Sequence, residues 1–169
     1  MKLFAVLNFS SRSMISLRKT AFVVCLLSCL GGTGCPPPAM STECRDFFLR
    51  PASEREKLFL TYDLDKQLEL YRCGMNRRPP DSSLPLLIAE RGEGAIPTLL
   101  DRLEAEKDEL FQYGIIDIFE VMSVKGYLRD RRDVVDRIRR VVAKMKISTF
   151  REMAEKDLSK IEQNSAGKL

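Results

Sequence analysis

Between residues 84 and 122 apolar side chains return at helical spacing in three successive blocks. Leu84, Leu87 and Ile88 mark the first, and Ile96, Leu99, Leu100 and Leu103 form the second at i, i+3, i+4, i+7. Leu110, Phe111, Ile115, Ile118, Phe119 and Met122 form the third. Gly92 and Gly94 break the chain before the second block, and a charged corner at 104–109 follows it, so the order is helix, tight turn, helix, corner, helix. The helix over 108–125 also carries Ile116 and Val121, so it is apolar on more than one side and should be the central, most buried one. Gly114 in its middle costs about 1 kcal/mol against alanine, which predicts a close crossing by a neighbouring helix.

The flanking segments continue the pattern. A short helix over 43–49 ends at Pro51. Ser53 and Glu56 have the spacing of a capping box, opening one long helix that carries Leu60, Leu64, Leu68 and Tyr71, widened by Leu58 and Tyr62 and closed by Gly74. Residues 76–81, with their paired prolines, form a loop; Asp81, Ser82 or Ser83 caps the next helix, with Pro85 in its first turn. Asp130 caps a helix whose Val134, Val135, Ile138, Val141, Val142 and Met145 cover an arc of roughly 120°. Thr149 and Glu152 make a second capping box, opening a last helix with Phe150, Met153, Leu158 and Ile161, and 164–169 reads as a frayed tail. No segment alternates over a convincing length, so the class is all-α.

Residues 92–103 read Gly-Glu-Gly-Ala-Ile-Pro-Thr-Leu-Leu-Asp-Arg-Leu. This run resembles the opening of the second helix in a HEAT-type, armadillo-like repeat, Gly-x-x-Ala-Ile/Val-Pro-x-Leu-Leu-x-x-Leu. The resemblance covers one unit at about 82–125. It implies a short HEAT-like, right-handed stack of antiparallel helices, and with it an interaction fold. The helices at 131–146 and 149–163 can form a second hairpin but lack the motif, and a compact irregular helical bundle is the alternative.

The front of the chain has a different character. Residues 1–35 hold Lys2, Arg12, Arg18 and Lys19 and no acidic residue, and an apolar run at 21–30 follows the last of them. A basic start, about ten apolar residues and then small ones make up a secretory signal, too short to span a membrane. Met14 would open a more compact version of it. Thr33 and Gly34 before Cys35 resemble the lipobox of bacterial lipoproteins, in which the cysteine carries the lipid; Gly32 departs from that pattern, and ordinary cleavage or a retained anchor is the alternative. Cys29 is a rival site with too short an apolar segment behind it. The resemblance implies an exported protein lipid-anchored in the cell envelope; if the cell has two membranes, Pro36 points to the outer one, facing the periplasm. Residues 36–42 serve as a stiff tether, and 43–163 as a single domain.

Of the 28 basic residues, four lie in the signal, leaving 24 to face 24 acidic ones. The formal +4 therefore belongs to the signal, and a general nucleic-acid reading loses its support. Cys25 and Cys29 also lie there, which leaves Cys44 and Cys73 to pair in an oxidising compartment or to stay as two separately buried thiols. The chain has no histidine and no tryptophan, which removes Ser-His-Asp and Cys-His catalysis and His-containing zinc sites. Phosphate loops and calcium loops are missing too. Carboxylate pairs, Glu90 with Glu93 or Asp117 with Glu120, are the one catalytic route left, that of a wall hydrolase, and such spacing is ordinary on a helix surface. No catalytic residue, cofactor or metal is expected.

Charge is distributed unevenly. Residues 101–120 hold seven acidic and two basic side chains, and 129–146 hold eight basic and three acidic ones. Arg132, Arg139 and Lys146 recur every seven residues along one edge, with Arg140 and Lys144 further round. This is a docking strip for an acidic protein partner or anionic head groups; the alternative is two helices whose opposite charges face solvent and each other. The function expected is that of a protein-binding or scaffold module, and an envelope inhibitor or immunity-type protein is the next reading.

Overall fold

The computed structural model describes residues 40–77 and 80–166. The signal segment, Cys35, the start of the tether, Arg78, Pro79 and the last three residues lie outside them. The described chain is all-α, as the pattern predicts: α1 (Thr42–Phe48), α2 (Ala52–Thr61), α3 (Leu64–Met75), α4 (Leu84–Ala89), a 3-10 turn (Gly92–Ala95), α5 (Ile96–Ala105), α6 (Glu109–Val124), α7 (Arg132–Val142) and α8 (Ser148–Ser165).

Helix α6 is the centre. Its Phe111, Ile115, Ile116, Ile118, Phe119 and Met122 are all buried, and it packs against α3, α4, α5 and α8. Gly114 lets α3 approach: a Cβ there would meet Met75 Cε at 2.7 Å and Tyr71 Cε1 at 3.1 Å, and the Tyr71 hydroxyl donates to the Gly114 carbonyl at 3.2 Å. Helix α6 closes where Gly126 takes φ +84°, so that Tyr127 N–H reaches the Met122 carbonyl at 3.1 Å and Gly126 N–H the Ser123 carbonyl at 3.0 Å. Helix α7 then lays its whole valine and isoleucine arc on α8 and α5.

Several boundaries differ from the sequence reading. The long helix expected from Ser53 is two helices, with a break at Tyr62–Asp63. Asp63 accepts the Lys66 N–H at 2.8 Å and so starts a new helix. The carbonyls freed by the break find side chains instead: buried Gln67 donates to Phe59 at 2.7 Å, and Arg91 donates to Gln67 at 2.7 Å and to the Tyr62 carbonyl. Leu60 is consequently left 52% exposed. The capping boxes at Ser53 and Thr149 do not form, because α2 starts after Pro51 and α8 after Ile147. Gly74 sits inside α3, where an added Cβ would meet Phe48 and Leu84 at 3.1 and 3.2 Å, and does not end it. Asp130 takes φ +61° and sends its N–H to the Ser165 carbonyl, so α7 begins after Arg131 without a side-chain cap. The tail expected from residue 164 is helical through Ser165, held by Asn164, which donates to Ser123 Oγ at 3.0 Å.

Candidate functional site

The basic strip read from the sequence is divided by the fold. Helix α7 stops at Val142, which puts Lys146 in the connection to α8 instead of on the helix edge. Arg132 and Arg139 line a groove of about 560 Å³ between the flank of α7 and the last turns of α8. Arg140, Lys144 and Lys146 line a second groove of about 710 Å³ at the carboxyl end of α7.

In the first groove Arg139 is occupied, donating to Glu162 at 2.7 Å and pairing with Asp136. Arg132 has no carboxylate within 4.0 Å among the described residues, but Asp130 and Asp136 stand on the same groove and leave it without a basic surplus. The Ser165 hydroxyl is buried at its floor without a hydrogen-bond partner among the described residues.

The second groove is different. Lys107, from the corner between α5 and α6, joins Arg140, Lys144 and Lys146 around it, and none of the four has a carboxylate within 4.0 Å among the described residues. The two acids on its wall are already engaged. Arg137 grips Glu104 through two hydrogen bonds of 2.8 Å, which hold that carboxyl below its ordinary range, and Arg137 also reaches Asp101 at 3.0 Å. Glu109 accepts the backbone N–H groups of Ile147 and Lys146 at 2.7 Å each, and these lower its pKa in the same way. Four cations without a carboxylate partner among the described residues therefore share an open, concave surface whose own carboxylates are engaged elsewhere, an arrangement that attracts anions. The acidic stretch of α5 and the basic stretch of α7 do face each other through Arg137, so part of the charge asymmetry is internal pairing.

The carboxylate pairs lead elsewhere. Glu90 is paired with Lys125 at 2.6 Å, and Glu93 is exposed. Asp117 and Glu120 meet α8 at a cluster with Asp157 and Lys160, the lysine reaching Asp157 at 2.8 Å and Glu120 at 3.6 Å. Burial, followed by the nearby charges of Asp157 and Glu120, raises the Asp117 pKa, and burial with Asp157 and Asp117 pushes the Tyr113 phenol up to about 12. Neither pair lines either basic groove. Among the described residues no three Cys, Asp or Glu side chains converge as a metal site, and no helix is long and apolar enough to cross a membrane.

Cys44 and Cys73 are joined by a disulfide, Cα–Cα 6.2 Å, that ties α1 to α3. The roles of Glu109 and Arg137 are the ones sequence reasoning missed; Arg137 was at least visible as a cation one turn before Arg140 and Val141 on α7. No protein-family model matches the chain, and neither a curated protein nor a solved structure matches it.

Proposed function

We propose that the chain is an exported, lipid-anchored cell-envelope protein that serves as a protein-binding or scaffold module on a HEAT-like helical domain, and that the basic groove is its docking surface for an anionic partner. The observation that carries this reading is the gathering of Lys107, Arg140, Lys144 and Lys146 around one groove while Glu104 and Glu109 beside them are engaged. The disulfide supports export, since such bonds persist in oxidising compartments. The repeat resemblance is supported by the tight turn at Gly92–Ala95 that leads into α5, with Pro97 in the first turn and Ile96, Leu99, Leu100 and Leu103 on its buried face.

The test is purification of the native protein from gently solubilised envelopes, with mass spectrometry of the proteins and lipids that accompany it. A component retained by the wild type and by Arg132→Glu, and lost when Arg140 and Lys144 are both changed to glutamate, is the expected result. If every accompanying component is indifferent to the reversed charges, the groove is an ordinary solvated face and the reading is wrong.

A further inference from the structure

The start of α1 shares a small groove with two arginines that reach the corner beside the basic groove. Ser41, the residue before α1, lines a small groove of about 230 Å³ together with Arg72 and Arg102. Both arginines turn to Glu106, Arg102 at 4.0 Å. Glu106 in turn accepts the backbone N–H of Lys107 at 2.9 Å and that of Asp108 at 3.0 Å. Lys107 is a wall of the basic groove. The start of α1 is therefore connected to one wall of the basic groove, first through a shared small groove and then through Glu106 at the carboxyl end of α5.

An exposed apolar side chain follows one of these cations directly in the chain. Ile147 is 49% exposed in the connection between α7 and α8, next to Lys146, while Met145 between Lys144 and Lys146 is buried and fixes the loop to the core. A lysine stem beside an exposed branched side chain suits an interface that is anionic at the headgroups and apolar just beneath them. Arg132, eight residues before Arg140 on α7, lies about 12 Å further along the axis.

We infer that the anionic partner of this groove is the headgroup layer of the membrane that holds the anchor, with Lys107, Arg140, Lys144 and Lys146 on anionic lipid and Ile147 dipping between headgroups. This inference rests on the reading of the groove as a docking surface and of Cys35 as the lipid attachment, and it names the partner at that surface.

The experiment uses the full chain as isolated from envelopes, placed in vesicles of phosphatidylglycerol and phosphatidylcholine in equal parts, or in phosphatidylcholine alone. Amide exchange is read by mass spectrometry for peptides covering 105–108 and 143–148. Exchange slowed several-fold in the anionic vesicles only, and restored by about 0.5 M salt or by Lys144→Glu with Lys146→Glu, is the expected result. Unchanged exchange of α6 peptides in that double variant shows that the fold is intact. Equal exchange in the two vesicle types, with the protein floating with both, overturns the inference. Slowing by a polyglutamate peptide but not by anionic vesicles also overturns it, in favour of an acidic protein segment. Should Cys35 carry no lipid by mass and the protein fail to float with phosphatidylcholine, the anchor reading fails separately. Salt-sensitive flotation with anionic vesicles that the double charge reversal abolishes then still supports docking, and flotation that is absent or indifferent to the reversal overturns it.

Discussion

Glu109 and Ile147 are 38 residues apart in the sequence and joined by a hydrogen bond of 2.7 Å, from the Ile147 backbone N–H to the Glu109 carboxylate. The other oxygen of the same carboxylate takes the Lys146 N–H. The first residue of α6 thereby does for α8 what a capping side chain within α8 would otherwise do, and it fixes the loop that carries Lys144, Lys146 and Ile147.

Replacing Glu109 with glutamine should lower the melting temperature at neutral pH and speed amide exchange at Lys146 and Ile147. The backbone donors depress the Glu109 pKa, so its contribution is present above the ordinary glutamate value of about 4.3 and is lost as pH falls through the lower folded value. Melts of the two proteins should therefore differ at pH 7 and converge well below pH 4; a constant difference across that range would count against the charge as the cause.

Asp117 has the opposite sign. Its folded pKa is raised, first by burial and next by Asp157 and Glu120, so the ionised carboxylate burdens the fold at neutral pH and the burden lifts as pH falls through the raised value. Asp117→Asn should stabilise the domain at pH 7, with no advantage at pH 3. Urea unfolding at the two pH values measures both.

The disulfide closes a loop between residues separated by 29 positions. Changing both Cys44 and Cys73 to serine should cost about 3–4 kcal/mol on the chain-entropy account, read as a lower urea midpoint. Phe47 and Phe48 keep α1 packed on the core, so the double variant should still fold at room temperature, with Arg45 and Arg50 becoming the first sites of trypsin cleavage.

At Gly114 two effects compete. Alanine adds about 1 kcal/mol of helix propensity, but its Cβ would press on the Met75 thioether and on the Tyr71 ring at 3.1 Å. The expected balance for Gly114→Ala is a loss of about 1–2 kcal/mol, most of it recovered when Met75 is also changed to alanine. A double-mutant cycle with no coupling between the two sites would show that the crossing does not govern this position.

How much of this was legible depends on the range over which the controlling interactions act. The buried faces of α5, α6 and α7 were readable because i, i+3, i+4 periodicity is set by the helix itself, and the residues named for them are buried. The break at Tyr62–Asp63 was not, because the residues that stabilise it, Gln67 and Arg91, act from α3 and from the turn after α4. The capping boxes at Ser53 and Thr149 failed for a related reason: local capping is worth little once another part of the chain supplies the partner, as Glu109 does for α8. At the candidate site the cations were visible in the sequence as a group. Which of them remain free was not, since that depends on Glu162 drawing off Arg139 and on α7 ending before Lys146.

Helix α8 is the last 18-residue helix of the described chain, and it covers α6, the core's own centre. Its start is tied to Glu109 and its end to Ser123 and Asp130. During synthesis, this helix thus emerges after every other described helix, although it covers the centre of their core. Until it does, the flank of α6 that carries Glu120 and Ser123 has no helix laid over it.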